Sequence, residues 1–284
     1  MSKELIDRLI HAMLDDIKAN RIVLPTLPEV ALKIRDIIDN PSTTTSEVYA
    51  TLRLDAALSA RLLKLANSPL FRPKSPIEDL NTAITRLGSR NIKNLVTNLV
   101  LEQTFQTGCY SPEVKDKLKS QWKYNLRIAA ISYFLAKNYS SLNPDEAMMA
   151  GLIHDIGTLP IIEYAESVPE LTTNPRALEM LMNKLHTKIG RLILKKWRFP
   201  EALITVAAEH ENMFRDPSIN LDYTDIVIIA ILLSHIGTNH PSTKLDWNTI
   251  PAFNRIAISP EDCISAIKNA HDDIAQIQKT FSHS

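Results

Sequence analysis

His154 and Asp155 stand side by side in Ala150-Gly151-Leu152-Ile153-His154-Asp155-Ile156-Gly157, a segment otherwise apolar or small. Burying an imidazole and a carboxylate in an apolar helix is costly unless a third group pairs with them. A divalent cation is an economical partner, because imidazole nitrogen and carboxylate oxygen both ligate first-row metals and an aspartate can bridge two ions. The dipeptide alone is weak evidence; later histidines strengthen it. His186 lies in Leu185-His186-Thr187-Lys188-Ile189-Gly190, on a helix whose apolar stripe continues through Ile193 and Trp197. His210 follows Val206-Ala207-Ala208-Glu209 and precedes Glu211, so a second carboxylate lies next to it. His235 ends a strongly apolar helix that begins near Asp222. Helices pointing these histidines inward at a His-Asp pair would make a metal centre in a bundle core. The competing reading makes each a core or surface histidine bonded to a neighbour.

The elements that must position these groups are helices. Apolar residues recur at helical spacing through Leu5, Ile6, Leu9, Ile10, Met13, Leu14 and Ile17, and again through Ile92, Leu95, Val96, Leu99 and Val100. No stretch shows the alternation of a strand. Helix starts are written as a polar residue before proline: Ser111-Pro112, Asn143-Pro144, Asn174-Pro175 and Ser259-Pro260. Thr44 with Glu47, and Asn143 with Glu146, have the spacing of a capping box. The expected fold is all-α, with an N-terminal helical bundle over 1–107 and a second helical domain over 112–284, divided near Gly108 and Pro112.

Composition removes several function classes. Only six glycines occur in 284 residues, and neither a dinucleotide-binding glycine fingerprint nor a phosphate-binding P-loop is present. Lysine plus arginine equals aspartate plus glutamate at 32 each, which disfavours a nucleic-acid partner. Arg86-Leu87-Gly88-Ser89-Arg90 superficially resembles a helix-turn-helix, and a packed interhelical corner is the plainer expectation. The two cysteines, Cys109 and Cys263, lack paired spacing, the N-terminal segment lacks a signal-peptide pattern, and the longest apolar run, Ile226 to Leu233, is too short to span a bilayer. A cytoplasmic protein without membrane partners is expected.

Several ordered motifs carry a family resemblance. Leu24-Pro25-Thr26-Leu27-Pro28, then Leu54-Asp55-Ala56-Ala57-Leu58 through Leu63-Lys64-Leu65-Ala66-Asn67-Ser68, then Arg86-Leu87-Gly88, and finally Trp197-Arg198-Phe199-Pro200 after His186 and Gly190 resemble an HDOD protein over about Leu24 to Gly237. HDOD proteins are degenerate relatives of the HD and HD-GYP metal-dependent phosphohydrolases of bacterial signalling. The resemblance implies an HD-like helical scaffold in the C-terminal half. It retains His154 and Asp155, and it sets His186 and His210 at ligand positions with Glu211 where a second histidine would stand. Tyr124, in Gln121-Trp122-Lys123-Tyr124-Asn125, takes the place of the first ligand histidine; Thr158 takes that of a lysine frequent in phosphodiesterase relatives; and the final aspartate has no match, His235 being the nearest position.

These losses fall on one metal position of two. Asp155, His186, His210 and Glu211 could still assemble the other, for one divalent ion (Fe, Mn, Zn or Mg). The expectation is therefore a non-catalytic regulatory protein of signal transduction that binds a protein partner or small ligand. The alternative is a metal-dependent phosphohydrolase with a reduced, single-metal site.

Overall fold

A computed structural model describes residues 3–19, 21–22, 24–25, 29–40, 42–68, 71, 73, 75–106, 110–216, 218 and 220–282. Among these residues every regular element is a helix and no strand occurs. The N-terminal part comprises α1 (Lys3–Lys18), α2 (Glu29–Asp39), α3 (Thr45–Leu52), α4 (Ala56–Ala66), α5 (Leu80–Leu87) and α6 (Ser89–Gln106). The C-terminal part is built on the long α7 (Pro112–Tyr139). After it come α8 (Pro144–Ile153), α9 (Thr158–Ala165), the single turn α10 (Pro169–Thr172), α11 (Pro175–Lys196), α12 (Glu201–Glu209) and α13 (Tyr223–Ser234). Two 3₁₀ turns then precede α14 (Pro251–Ile256), α15 (Pro260–Asn269) and α16 (His271–Ser282).

The caps form where proline and small polar residues place them. Ser111, Asn143, Asn174 and Ser259 each accept a backbone N–H from the first turn that follows. Thr44 and Glu47 complete a reciprocal capping box. The Asn143 box forms only by half: Asn143 Oδ1 accepts from Asp145 and Glu146, whereas the Glu146 carboxylate accepts the Tyr223 hydroxyl at 2.8 Å, tying the start of α8 to the start of α13. Asn67 ends α4 and its amide also brackets Ile77, donating to the carbonyl and accepting the N–H. Gly88, at φ 79°, turns α5 into α6. The corner between them is packed, since α6 buries Ile92, Leu95, Val96 and Leu99 against its neighbours. The Arg90 side chain, and Thr107 to Cys109 at the expected division of the chain, lie outside what is described.

α7 lies against α6, α8, α9, α13 and α16, so one continuous core runs from Met13 to Ile277. The N-terminal part also reaches across to α11. α1 packs on that helix, Trp197 Nε1 donates to the Pro25 carbonyl at 2.9 Å, and the Arg35 guanidinium sits 3.8 Å from the centre of the Phe199 ring. Arg35 also donates to the carbonyl of Arg198, which has a left-handed φ of 55°. Hydrogen bonds from Arg198 to Lys195 and from Phe199 to Leu194 close the end of α11, a termination that usually selects glycine at the position Arg198 holds.

Two glycines let helices approach as closely as the site requires. A Cβ on Gly151 would stand 2.7 Å from the Cα of Ala129, which sets the α7–α8 crossing. A Cβ on Gly157 would stand 1.9 Å from the carbonyl oxygen of His186, where the start of α9 meets α11. Gly190 has ordinary room, its nearest neighbour being the Ala207 methyl at 3.4 Å.

Candidate metal centre

His154 caps the end of α8, His186 lies mid-way along α11, and His210 caps the end of α12. All three rings are buried. Each points its Nδ1 at a carbonyl of its own helix: His154 at Gly151 (2.7 Å), His186 at Met182 (2.7 Å) and His210 at Val206 (2.9 Å). A carbonyl only accepts, so Nδ1 carries the hydrogen in each ring, and in the neutral form Nε2 is left with its lone pair. This is the orientation that a metal-binding histidine needs.

The Nε2 atoms converge on Asp155. Its Oδ1 lies 3.5 Å from Nε2 of both His186 and His210, and its Oδ2 lies 3.6 Å from Nε2 of His154. His186 and His210 face each other, Nε2 to Nε2, at 3.1 Å. Glu211 Oε1 completes the group at 3.6 and 3.8 Å from the same two nitrogens, its side chain largely exposed at the rim. With bonds of about 2.0–2.2 Å, neighbouring ligand atoms around one cation stand about 3.0–3.5 Å apart. Asp155, His186, His210 and Glu211 therefore fit one divalent ion in both spacing and chemistry. Two ligand-type groups of three recur among the described residues, His154-Asp155-His210 and His186-His210-Glu211.

Titration behaviour follows from the crowding. Burial, opposed by the neighbouring Asp155 charge, pushes His154 down to about 4. Burial would lower His210 too, but the Asp155 carboxylate beside it raises its pKa. Burial would raise Asp155; the three imidazoles outweigh it and hold the carboxyl below the usual range.

Tyr124 and His235 stand apart from this ligand set. The Tyr124 ring lies between the rings of His154 (5.7 Å between centres) and His235 (6.4 Å). Burial and the Asp155 charge raise its phenol pKa; the Ser234 hydroxyl donates to the Ile231 carbonyl at 2.7 Å. His235 belongs to neither ligand group; its Nδ1 meets Ser242 Oγ at 3.1 Å, and it stacks on His240 at 3.7 Å. Burial, His240 and Arg127 push its pKa down to about 4. His235, the position nearest to the missing aspartate, thus turns to Ser242 and His240 rather than to the Asp155 group.

Two features escaped sequence reading. Gln121 Nε2 donates to Asp155 Oδ2 at 3.0 Å and to Asn125 Oδ1 at 3.0 Å; an amide one turn before Tyr124 carries no signal in a single sequence. Behind the site, Arg215 reaches Glu209, Asp222 and Asp225, and Arg255 pairs with Asp225. This network, buried at Arg215 and Asp225, ties the end of α12 to the start of α13.

A family model, the HDOD domain, matches residues 24–213. The fold and 28% of aligned residues are shared with a candidate metal-dependent phosphohydrolase from Shewanella amazonensis SB2B, with a TM-score of 0.78 covering 98% of this chain and 99% of that one. A candidate signal transduction protein from Marinobacter aquaeolei VT8 has the same fold, with a TM-score of 0.61 at 18% identity covering 93% of this chain and 61% of that one. An uncharacterized protein of Treponema pallidum (strain Nichols) is 28% identical over 208 residues, 68% of this chain and 39% of that protein, so the match spans well under half of the relative's length. No described helix is long and apolar enough to cross a membrane. The motifs from Leu24 to the end of α12, the all-helical fold and the family match agree: this chain belongs to the HDOD family.

Proposed function

We propose that this protein is a non-catalytic regulatory module of signal transduction that holds one divalent cation at Asp155, His186, His210 and Glu211, with His154 beside it. On this reading the helices of the N-terminal part, 1–107, present a face to a protein partner or small ligand, and the C-terminal part, 112–284, carries the ion. The observation that carries the proposal is the pair of buried Nε2 atoms 3.1 Å apart with both Nδ1 hydrogens committed to carbonyls. Two facing lone pairs repel, and a shared cation or proton removes the repulsion. The Asp155 and Glu211 oxygens around the pair favour the cation.

A cation bound there would supply a Lewis-acid centre. The surrounding residues argue for binding rather than turnover. Beside His154, where a second ion would need ligands, stands the phenol ring of Tyr124. Thr158 turns its hydroxyl to the Asp155 carbonyl at 2.7 Å instead of offering a charge to a phosphoryl oxygen.

Elemental analysis of protein expressed with added metals tests the site. About one equivalent of a first-row ion is expected in the wild type and well under half an equivalent in His186→Ala and His210→Ala; a metal-free wild type overturns the assignment. Similarity to the Shewanella amazonensis protein keeps a phosphohydrolase as the second reading. Incubation with phosphodiester and nucleotide substrates plus Mn²⁺ or Fe²⁺ separates the two. We expect release no faster than from Asp155→Ala, and turnover that Asp155→Ala abolishes would establish the hydrolase.

A further inference from the structure

We infer that Gln121 is the positioning residue of a one-ion centre, committing one oxygen of Asp155 to a hydrogen bond and turning the other to the cation. The inference rests on the metal reading above and concerns how many ions the centre takes.

Gln121 is buried on α7 and faces Asp155 from across the bundle. The ionised Asp155 carboxylate can only accept, so the Gln121 group at 3.0 Å from Oδ2 is its NH₂. The second hydrogen of that NH₂ goes to Asn125 Oδ1 at 3.0 Å. Asn125 is fully buried on the same helix, one turn on. Gln121 is thus held on two sides and cannot swing away without stranding a buried acceptor.

The two carboxylate oxygens consequently have different neighbours. Oδ1 faces His186 and His210 at 3.5 Å each. Oδ2 faces the amide of Gln121 and, at 3.6 Å, Nε2 of His154. A bridging aspartate gives one oxygen to each of two ions, and here the second oxygen already meets a hydrogen-bond donor. The Tyr124 ring faces that side, 5.7 Å between centres from the ring of His154, and the Ser234 hydroxyl donates to the Ile231 carbonyl at 2.7 Å. Among the described residues, only His154 is left there as a neutral nitrogen ligand, too few for a second resident ion.

The test measures ions bound and ligand field rather than turnover. In Gln121→Glu the donor becomes a carboxylate of nearly the same shape beside Oδ2, and titration with Mn²⁺ or Co²⁺ is expected to rise from one to two ions per chain. In Gln121→Met the shape is kept and the donor lost. Stoichiometry should stay at one, affinity should fall about 10- to 100-fold, and the Co²⁺ visible spectrum should change as Asp155 loses its fixed orientation. A residue that merely filled space would leave that spectrum unaltered in Gln121→Met. Two ions in the wild type, or Gln121→Met binding one ion with wild-type affinity and spectrum, overturns the inference. Gln121→Glu remaining at one ion overturns it equally. A wild type that binds no ion at all overturns the metal assignment itself, and with it this role.

Discussion

Asp225→Ala is expected to cost about 3–5 kcal/mol of folding stability, the penalty for removing one partner of a buried ion pair. Asp225 is fully buried on α13 between two guanidinium groups that are themselves at least nine-tenths covered. Its Oδ1 accepts from Arg215 (3.1 Å) and Arg255 (2.5 Å); its Oδ2 accepts from Arg255 Nε (2.8 Å) and the Asp222 N–H (3.2 Å). Arg215 keeps Asp222 and Glu209 after the substitution, but Arg255 loses its only side-chain partner among the described hydrogen bonds. Most domains are stable by about 5–15 kcal/mol, so this single change removes a large fraction of the total. Denaturant melts monitored by circular dichroism give the number; a loss below about 1 kcal/mol would show that water replaces the carboxylate and that the network is not dry. Because the network also ties the end of α12, beside His210 and Glu211, to the start of α13, the same variant should bind its cation more weakly.

Gly157→Ala is the second large effect. The glycine has an ordinary right-handed backbone with φ −69°, so alanine brings no conformational strain, and the whole effect comes from space. The new methyl would lie 1.9 Å from the His186 carbonyl oxygen and 2.6 Å from the Gly190 nitrogen, both backbone atoms of α11. No rotamer relieves such a contact, so α9 and α11 must part. Overpacking typically costs about 1–3 kcal/mol and sometimes more, and this contact belongs at the upper end. The displacement falls on His186, so metal content should drop along with the melting temperature. Gly190→Ala is the matched control: its methyl meets that of Ala207 at 3.4 Å, and it should melt within a few degrees of wild type. Equal melting temperatures for the two variants would mean that the helices shift apart freely.

How much of this was legible beforehand depends on the range over which each feature is decided. Helix identity and starts are local, so Ser111, Asn143, Asn174 and Ser259 could be read directly. The second half of the Asn143 box could not, because Glu146 is taken by Tyr223 from far along the chain. The buried set His154, Asp155, His186 and His210 was visible because those residue types are costly to bury, and the family motifs fix their order and add the rim carboxylate of Glu211. His235 is the position nearest in sequence to the missing aspartate, but as the residue that caps α13 it turns to Ser242 and His240. Gln121 and the Arg215–Asp225–Arg255 network left no trace, since an amide or an ion pair gains meaning only from partners that the fold brings to it.

The seam at the end of α11 has a mechanical consequence. At 1.5 Å per residue the 22-residue α11 is a rod about 33 Å long. His186 stands eleven residues, about 16 Å, from Trp197, where the Pro25 carbonyl and Arg35 grip its far end. On the proposed reading, the N-terminal helices and a bound cation would hold the same lever at two points. Any partner that grips the N-terminal helices more tightly in one setting of that lever must alter cation affinity, and by linkage the cation must alter the partner's affinity by the same factor.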